Sequence, residues 1–123
     1  MLRRLIATAL FIGEIASGIT VPSQAQEMRI TCYTSKSTAY TFSGQLVHEG
    51  GCASNVENLG KMAFIYNSNF EFIGMYECND IGSNYCLKNG TALDIWQPSL
   101  DECYEFIGKN GDYAYVIFID AEG

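Results

Sequence analysis

Short apolar runs separated by turns rich in glycine and asparagine make up most of the chain, a pattern typical of a small all-β domain. Most of these runs are short enough for strands, and several alternate apolar and polar positions. Residues 67–69 form a three-residue turn that predicts a hairpin between its flanking runs. The glycine-containing segment 43–58 is predicted to be a long loop. The six predicted strands are 28–33, 35–40, 59–66, 70–77, 91–96 and 113–119.

One segment, residues 99–107, follows the period of an α-helix. Ser99 and Glu102 form a capping box, in which each side chain can bond an unpaired amide of the first turn. Gly108 stands where helix C-caps favour glycine. Apolar residues at i, i+3, i+4 and i+7 predict one buried face. Its members are Leu100, Cys103, Tyr104 and Ile107.

Six short strands, one helix and glycine-rich turns together predict a mainly β fold. A closed barrel suits strands of this length, because closure removes the unpaired edges of a sheet. The helix would then pack against this barrel through its apolar face. We therefore predict a small six-stranded β-barrel with one short α-helix.

Two aspartates interrupt this pattern. Asp94 lies inside the otherwise apolar strand 91–96, and Asp80 follows strand 70–77 and opens a glycine turn. Burial of a carboxylate is costly unless the group is paired or protonated. One interpretation is that the two share a pocket in which their pKa values are pushed apart. The other is that Asp80 makes an Asx-turn while Asp94 faces solvent from a half-buried strand.

The N-terminus has the pattern of a secretory signal peptide. Arg3 and Arg4 precede the apolar run 5–12, and small residues end at Ala25, where a signal peptidase could cleave. The apolar run is shorter than the roughly 20 residues that span a bilayer. Glu14 lies unusually close to this run, so a retained anchor is the alternative. We expect a cleaved signal and a protein that is secreted or associated with the cell wall.

Cleavage after residue 25 leaves one domain, residues 26–123, which is long enough for a thin core. Removal of Arg3, Arg4 and Glu14 changes the net charge from −7 to −8. An acidic chain without a basic stripe argues against binding to nucleic acid or to anionic lipid. Glycan binding is compatible with this charge, because sugars are recognised by stacking and hydrogen bonds.

The five cysteines predict disulfides with one thiol left over, if the domain is exported. About 15 arrangements of two pairs are possible, and buried free thiols are the alternative. Cys78 ends the strand before Asp80, and Cys103 lies on the predicted helix face, so we predict that these two pair. No Cys-x-x-Cys motif is present, and the only histidine, His48, has too few neighbours for a metal or catalytic site. We expect neither metal nor cofactor.

Residues 80–108 contain three short motifs in a fixed order, followed by the predicted helix. They read Asp80-Ile81-Gly82, Leu87-Lys88-Asn89-Gly90 and Leu93-Asp94-Ile95-Trp96. Their order and spacing resemble the three-aspartate (3D) domain, whose pattern is Asp-x-Gly-Gly, Ile-Lys-Gly, apolar-Asp-Ile-Tyr and a helix ending in glycine. With weaker similarity upstream, the resemblance covers residues 30–119. It implies a double-psi β-barrel, as in membrane-bound lytic transglycosylase A and rare lipoprotein A.

The resemblance also implies an activity, the cleavage of peptidoglycan glycan strands without water. One carboxyl first protonates the glycosidic oxygen and then acts as base while the sugar's C6 hydroxyl closes a 1,6-anhydro ring. Asp94 matches the catalytic aspartate of this family. Asp80 is expected to orient Asp94 or to raise its pKa by like-charge proximity. The expected substrate contacts are Lys88, Trp96, Asn55 and Gly82.

This chain departs from the family pattern at two places. Asn55 stands where the third aspartate is expected, with Glu57 nearby, and Ser83 replaces the second glycine of the first motif. Asparagine keeps a hydrogen bond but carries no charge, so this change affects activity more than fold. Two functions stay open, a monomeric lytic transglycosylase and a non-catalytic barrel that binds wall glycan or a protein partner.

Overall fold

The computed structural model describes residues 11–14 and 20–120. The elements in this part of the chain are eight strands, two α-helices and one 3₁₀ helix, Val56–Asn58. The strands are β1 (Phe11–Glu14), β2 (Thr20–Pro22), β3 (Gln26–Tyr33), β4 (Gly51–Ser54), β5 (Lys61–Tyr66), β6 (Phe72–Ile81), β7 (Ala92–Trp96) and β8 (Tyr113–Asp120). The helices are α1 (Tyr85–Lys88) and α2 (Leu100–Asn110).

Six of the strands form a closed barrel in the spatial order β3-β7-β4-β6-β5-β8, while β1 and β2 pair in a separate sheet. The pairs β3/β7 and β4/β6 are parallel, and the other four neighbouring pairs are antiparallel. If β3 is exchanged with β6, β4 with β7 and β5 with β8, the same set of strand pairings results. The strand connectivity therefore has two-fold symmetry. The mainly β class and the closed six-stranded barrel are confirmed.

Small and medium apolar side chains fill the barrel. As the alternation of β3 predicts, Met28 and Ile30 point inward. Phe106 of α2 packs against the same core. The core consists of Met28, Ile30, Cys52, Ala63, Ile65, Cys78, Leu93, Ile95, Phe106, Ala114 and Val116.

A disulfide between Cys32 on β3 and Cys103 fastens α2 to the barrel. The predicted pairing of Cys78 with Cys103 is therefore wrong. Cys78 lies inside the core instead, beside Cys52 on the neighbouring strand. Cys78 points into the barrel core, whereas α2 packs against β3, so Cys103 meets Cys32 and not Cys78.

Strand β4 lies inside the segment predicted to be a long loop, so that prediction is wrong. All four residues of β4, which runs between β6 and β7, are buried. Its small side chains show no alternation of apolar and polar positions, which leaves no strand signal in the sequence. The predicted strand at residues 35–40 is also wrong, since this segment is a loop with one isolated bridge, between Tyr40 and Leu46.

Helix α2 begins where the capping box predicts. Ser99 Oγ accepts a hydrogen bond from the Glu102 amide at 3.2 Å. The helix ends three residues later than predicted, at Asn110, and Gly111 with φ 83° takes the position expected for Gly108. Its buried residues are Cys103 and Phe106, whereas Leu100 and Tyr104 are 56% and 69% exposed, so the predicted apolar face is only partly correct.

The predicted signal peptide, residues 1–25, falls largely on residues outside the described ranges and stays a prediction. The barrel begins at Gln26, the first residue of β3. Among the described residues, no helix is both long enough and apolar enough to cross a membrane.

Replacement of the helix cap should measurably destabilise the protein. We expect Ser99→Ala to lower the free energy of unfolding by about 1 kcal/mol, because the Glu102 amide loses its acceptor. Urea unfolding followed by circular dichroism measures this change. Ser68→Ala, in an exposed turn, is the matched control and should change the free energy little. Equal effects in the two variants would contradict the assigned cap.

Candidate active site

Asp80 and Asp94 belong to one row of residues that crosses four neighbouring strands. In register, Asp80 on β6 pairs with Ala53 on β4, Ala53 pairs with Asp94 on β7, and Asp94 pairs with Thr31 on β3. Paired residues of a sheet present their side chains on the same face. Both chain neighbours of Asp94 lie in the core, so this face is the outside of the barrel. We call the row Asp80, Ala53, Asp94 and Thr31 the carboxylate strip.

A β-bulge brings Asp80 into the strip. The register between β4 and β6 shifts just before Asp80, which leaves Asn79 as an extra residue on β6. The strand then continues to Ile81 alongside β4. The predicted glycine turn at Asp80 is therefore wrong, because it depended on a strand that ended at residue 77.

Three hydrogen bonds hold the Asp80 carboxylate. Its Oδ1 accepts from the amides of Phe42 and Ile81, each at 2.9 Å. Its Oδ2 accepts from the Tyr33 hydroxyl at 3.1 Å. Burial, and then the charge of Asp80, raise the pKa of Tyr33, so this hydroxyl keeps its proton as a donor. Asp80 thus ties the β3–β4 loop, residues 34–50, to the barrel.

Asp94 is half-buried and is less constrained than Asp80. Thr31 Oγ1 donates a hydrogen bond to Asp94 Oδ1 at 2.8 Å. Burial raises the pKa of Asp94, the Thr31 hydrogen bond lowers it, and the negative charge of Asp80 raises it, with a net rise. The direction of this shift agrees with the sequence prediction. Within the strip, Asp94 is the carboxyl whose surroundings favour the neutral acid.

The Thr31 hydroxyl can serve both protonation states of Asp94. Besides Asp94 Oδ1, it lies 3.3 Å from the carbonyl oxygen of Leu93. A hydroxyl has one proton to donate and two lone pairs that accept. It can donate to ionised Asp94, or it can donate to the Leu93 carbonyl while accepting the proton of neutral Asp94. The strip therefore provides a partner for Asp94 before and after a proton transfer.

Trp96 and Gly82, two of the predicted substrate contacts, make structural contacts within the domain. Trp96 is 4% exposed, and its Nε1 donates to Ser35 Oγ at 3.0 Å, so the indole packs beneath the β3–β4 loop. The amide of Gly82 donates to the Ser54 carbonyl at 3.2 Å and is not free for a ligand. A Cβ at Gly82 would collide with the Leu87 side chain. The predicted substrate contacts of Trp96 and Gly82 stay predictions.

Asn55 and Lys88 lie at the ends of short helices. Asn55 Oδ1 accepts from the Asn58 amide at 3.1 Å and caps the 3₁₀ helix, a task that needs no charge. Its amide group also lies close to the glycine at position 90. Lys88 is exposed at the last residue of α1. Within residues 20–120, it makes no ion pair with either strip carboxylate.

Sequence reasoning missed the residues that surround the two aspartates. Thr31 and Tyr33 alternate with inward-facing residues of β3, so their common outer face is visible in the sequence. The sequence does not show that they lie close to Asp94, because the parallel pairing of β3 with β7 joins segments more than 60 residues apart. Ala53 lies in segment 43–58, which the sequence predicts to be a loop, so its place between the two aspartates was not predicted.

A second polar cluster holds the β3–β4 loop near the strip. His48 Nε2 lies 3.6 Å from Glu77 Oε1 and 3.3 Å from Asn79 Nδ2. Gln45 Nε2 also donates to Glu77, at 3.0 Å. Among the described residues, no group of three or more His, Cys, Asp or Glu side chains is arranged to hold a metal ion.

Comparison of the sequence with models of protein families gives no match, and neither does comparison with curated protein sequences. The resemblance to the three-aspartate domain stays a prediction based on motif order and spacing.

Two substitutions should move the pKa of Asp94 in opposite directions. Thr31→Val removes the hydrogen bond that lowers this pKa, so we expect it to rise. Asp80→Asn removes the like charge that raises it, so we expect it to fall. Titration of the ¹³C-labelled Asp94 carboxyl by NMR measures both changes.

Thr31→Ser is the matched control for this titration, because it keeps the hydroxyl and should leave the Asp94 pKa close to that of the wild type. Shifts of the same sign in Thr31→Val and Asp80→Asn would contradict the assigned electrostatics.

Proposed function

We propose that this protein is an exported cell-wall enzyme that cleaves peptidoglycan glycan strands as a lytic transglycosylase. The peptidoglycan substrate is taken from the motif resemblance, and the acid–base chemistry is supported best by Asp94, a half-buried carboxyl with a raised pKa in the same row as Asp80. A general acid must hold its proton near the working pH, and burial is a common way to achieve this. Neither carboxyl needs to activate water, in contrast to ordinary glycoside hydrolysis.

We also propose that the barrel is of the double-psi type. The support comes from its connectivity, in which β3, β4 and β5 exchange with β6, β7 and β8 without changing any pairing. Two interlocked three-stranded units alternate around the barrel, and two of the six pairings between them are parallel. The strip lies where both units meet, since β4 of the first unit pairs with β6 and β7 of the second.

In the proposed reaction, neutral Asp94 donates its proton to the glycosidic oxygen as the bond from this oxygen to C1 of the muramic acid breaks. The resulting carboxylate then takes the proton of the C6 hydroxyl, whose oxygen forms the new bond to C1. Asp94 is thus an acid again at the end of the cycle, and no water is consumed. Thr31 can donate to the Asp94 carboxylate, or it can donate to the Leu93 carbonyl and accept the proton of neutral Asp94 until the glycosidic oxygen takes its place.

Asp80 acts indirectly in this proposal. Its carboxylate is already held by three donors, so it has little capacity to handle a substrate proton. Its charge acts on Asp94 across the methyl group of Ala53 and contributes to keeping Asp94 protonated. Asp80 is therefore a positioning residue rather than a second catalytic acid.

The second candidate is a non-catalytic barrel that binds wall glycan. The bonds of Asp80 to Tyr33 of β3 and to Phe42 of the β3–β4 loop favour it, because they give this carboxylate a structural task. Tyr40 and Phe42 of the same loop are 72% and 62% exposed and offer aromatic surface next to Asp80. Sugar rings can stack on such side chains without any chemistry.

Asp94→Asn separates these candidates. We expect at least about a 100-fold loss in the release of 1,6-anhydro-muropeptides from purified sacculi, the usual scale of lost acid–base catalysis. The amide can still accept the Thr31 hydrogen bond, so the fold should persist. Asp112→Asn, at an exposed position, is the matched control and should retain the wild-type rate. Cleavage at the wild-type rate by folded Asp94→Asn would contradict the catalytic assignment.

The same variant has a predicted effect on stability. Because the folded state raises the pKa of Asp94, it binds this proton more tightly than the unfolded chain does. Stability is then lost as pH rises from the ordinary aspartate pKa through the raised one. Asp94→Asn should therefore gain melting temperature relative to the wild type near pH 7 and lose this advantage near pH 3. A gain that is independent of pH would contradict the raised pKa.

A further inference from the structure

The barrel core contains a second pair of cysteines in contact. Cys52 on β4 and Cys78 on β6 are register partners in a parallel strand pair, and both side chains are fully buried. Their sulfur atoms are 3.8 Å apart, with the Cys52 thiol donating to Cys78. Both residues are free thiols, as is Cys86, which is exposed on α1.

We propose that Cys52 and Cys78 form a second disulfide in the oxidised protein. Neighbouring strands lie about 4.8 Å apart, and disulfides span Cα distances of about 4.4–6.8 Å. The two sulfurs already face each other across one strand pairing. They need to approach by less than about 2 Å to reach bonding distance. Side-chain rotation can supply this movement without a change in strand register.

The existing disulfide supports this oxidation. Cys32 and Cys103 are bonded, so the fold accommodates an oxidised state of the chain. A second bond would pair four of the five cysteines and leave only the exposed Cys86 as a thiol. Without this bond, the two buried thiols of Cys52 and Cys78 stay in contact.

The new bond would form most readily before the barrel closes. In the folded protein, the hydrogen bond to Cys78 and then burial raise the pKa of the Cys52 thiol. The thiolate is the species that attacks a disulfide, so the folded pair reacts slowly. Once formed, the bond would be equally inaccessible to reductants, because both sulfurs are buried.

The oxidant is a disulfide, either of a small thiol or of a protein partner. The Cys78 thiolate attacks one of its sulfurs, forming a mixed disulfide and releasing one thiol. The Cys52 thiolate then attacks the Cys78 sulfur and releases the second thiol. Two protein thiols are oxidised, the oxidant disulfide is reduced to two thiols, and these take up the two protons.

This bond would stabilise the geometry of the carboxylate strip. Cys52 directly precedes Ala53, and Cys78 precedes Asp80 by two residues, so the bond lies next to the bulge at Asn79. A covalent link between β4 and β6 at this point would oppose any slip that moves Asp80 away from Ala53. The proposed disulfide follows from the contact between the two sulfurs and does not depend on the proposed function.

Counting of thiols tests the proposal. The chain is refolded in a glutathione redox buffer, denatured, alkylated and analysed by mass spectrometry without reduction. We expect one alkylated thiol in the wild type, none in Cys86→Ala and two in Cys78→Ala. Without the second bond, the corresponding counts are three, two and two, so Cys86→Ala discriminates most sharply.

Non-reducing peptide mapping then identifies the partners. A linked peptide pair that contains Cys52 and Cys78 supports the proposal, and a link from either residue to Cys86 overturns it. Cys86 is exposed, so Cys86→Ala is not expected to impair folding, and circular dichroism checks this. Two alkylated thiols in folded Cys86→Ala overturn the proposal independently of any glycan-cleaving activity.

Discussion

The pairing of β4 between β6 and β7 is the constraint on which the fold and the strip both depend. This four-residue strand closes the barrel and places Ala53 between Asp80 and Asp94. All four residues of β4 are buried, and they are the small residues glycine, cysteine, alanine and serine. The bulge in the pairing of β4 with β6 places Asp80 in the outer row.

Elements with a local signal could be predicted from the sequence. The hairpin strands, the strand around Asp94 and the cap of α2 at Ser99 follow from alternation and capping chemistry. Strand β4 could not be predicted, because its small residues show no periodicity. The disulfide between Cys32 and Cys103 could not be predicted either, because sequence spacing does not determine which cysteines meet. Asp94 stood out because a carboxyl in an apolar strand is costly to bury, whereas Thr31 became visible only through a parallel pairing of distant segments.

The two carboxylates of the strip have different surroundings despite their common row. Asp80 accepts three hydrogen bonds and connects the β3–β4 loop to the barrel. Asp94 has one hydroxyl partner, and its burial outweighs that bond, so its pKa is raised. Two like groups with separate tasks are typical of sites that hold a proton donor near neutral pH. The burial that raises the pKa of Asp94 also costs stability when Asp94 is ionised, because the folded state disfavours this charge.

The identity of the products formed from peptidoglycan tests the central claim most directly. Purified protein is incubated with sacculi, and the released fragments are analysed by mass spectrometry. If Asp94 acts as acid and then as base without water, the new muramic acid ends carry the 1,6-anhydro ring. Ends with a free reducing group, or no released fragments at all, would contradict this account.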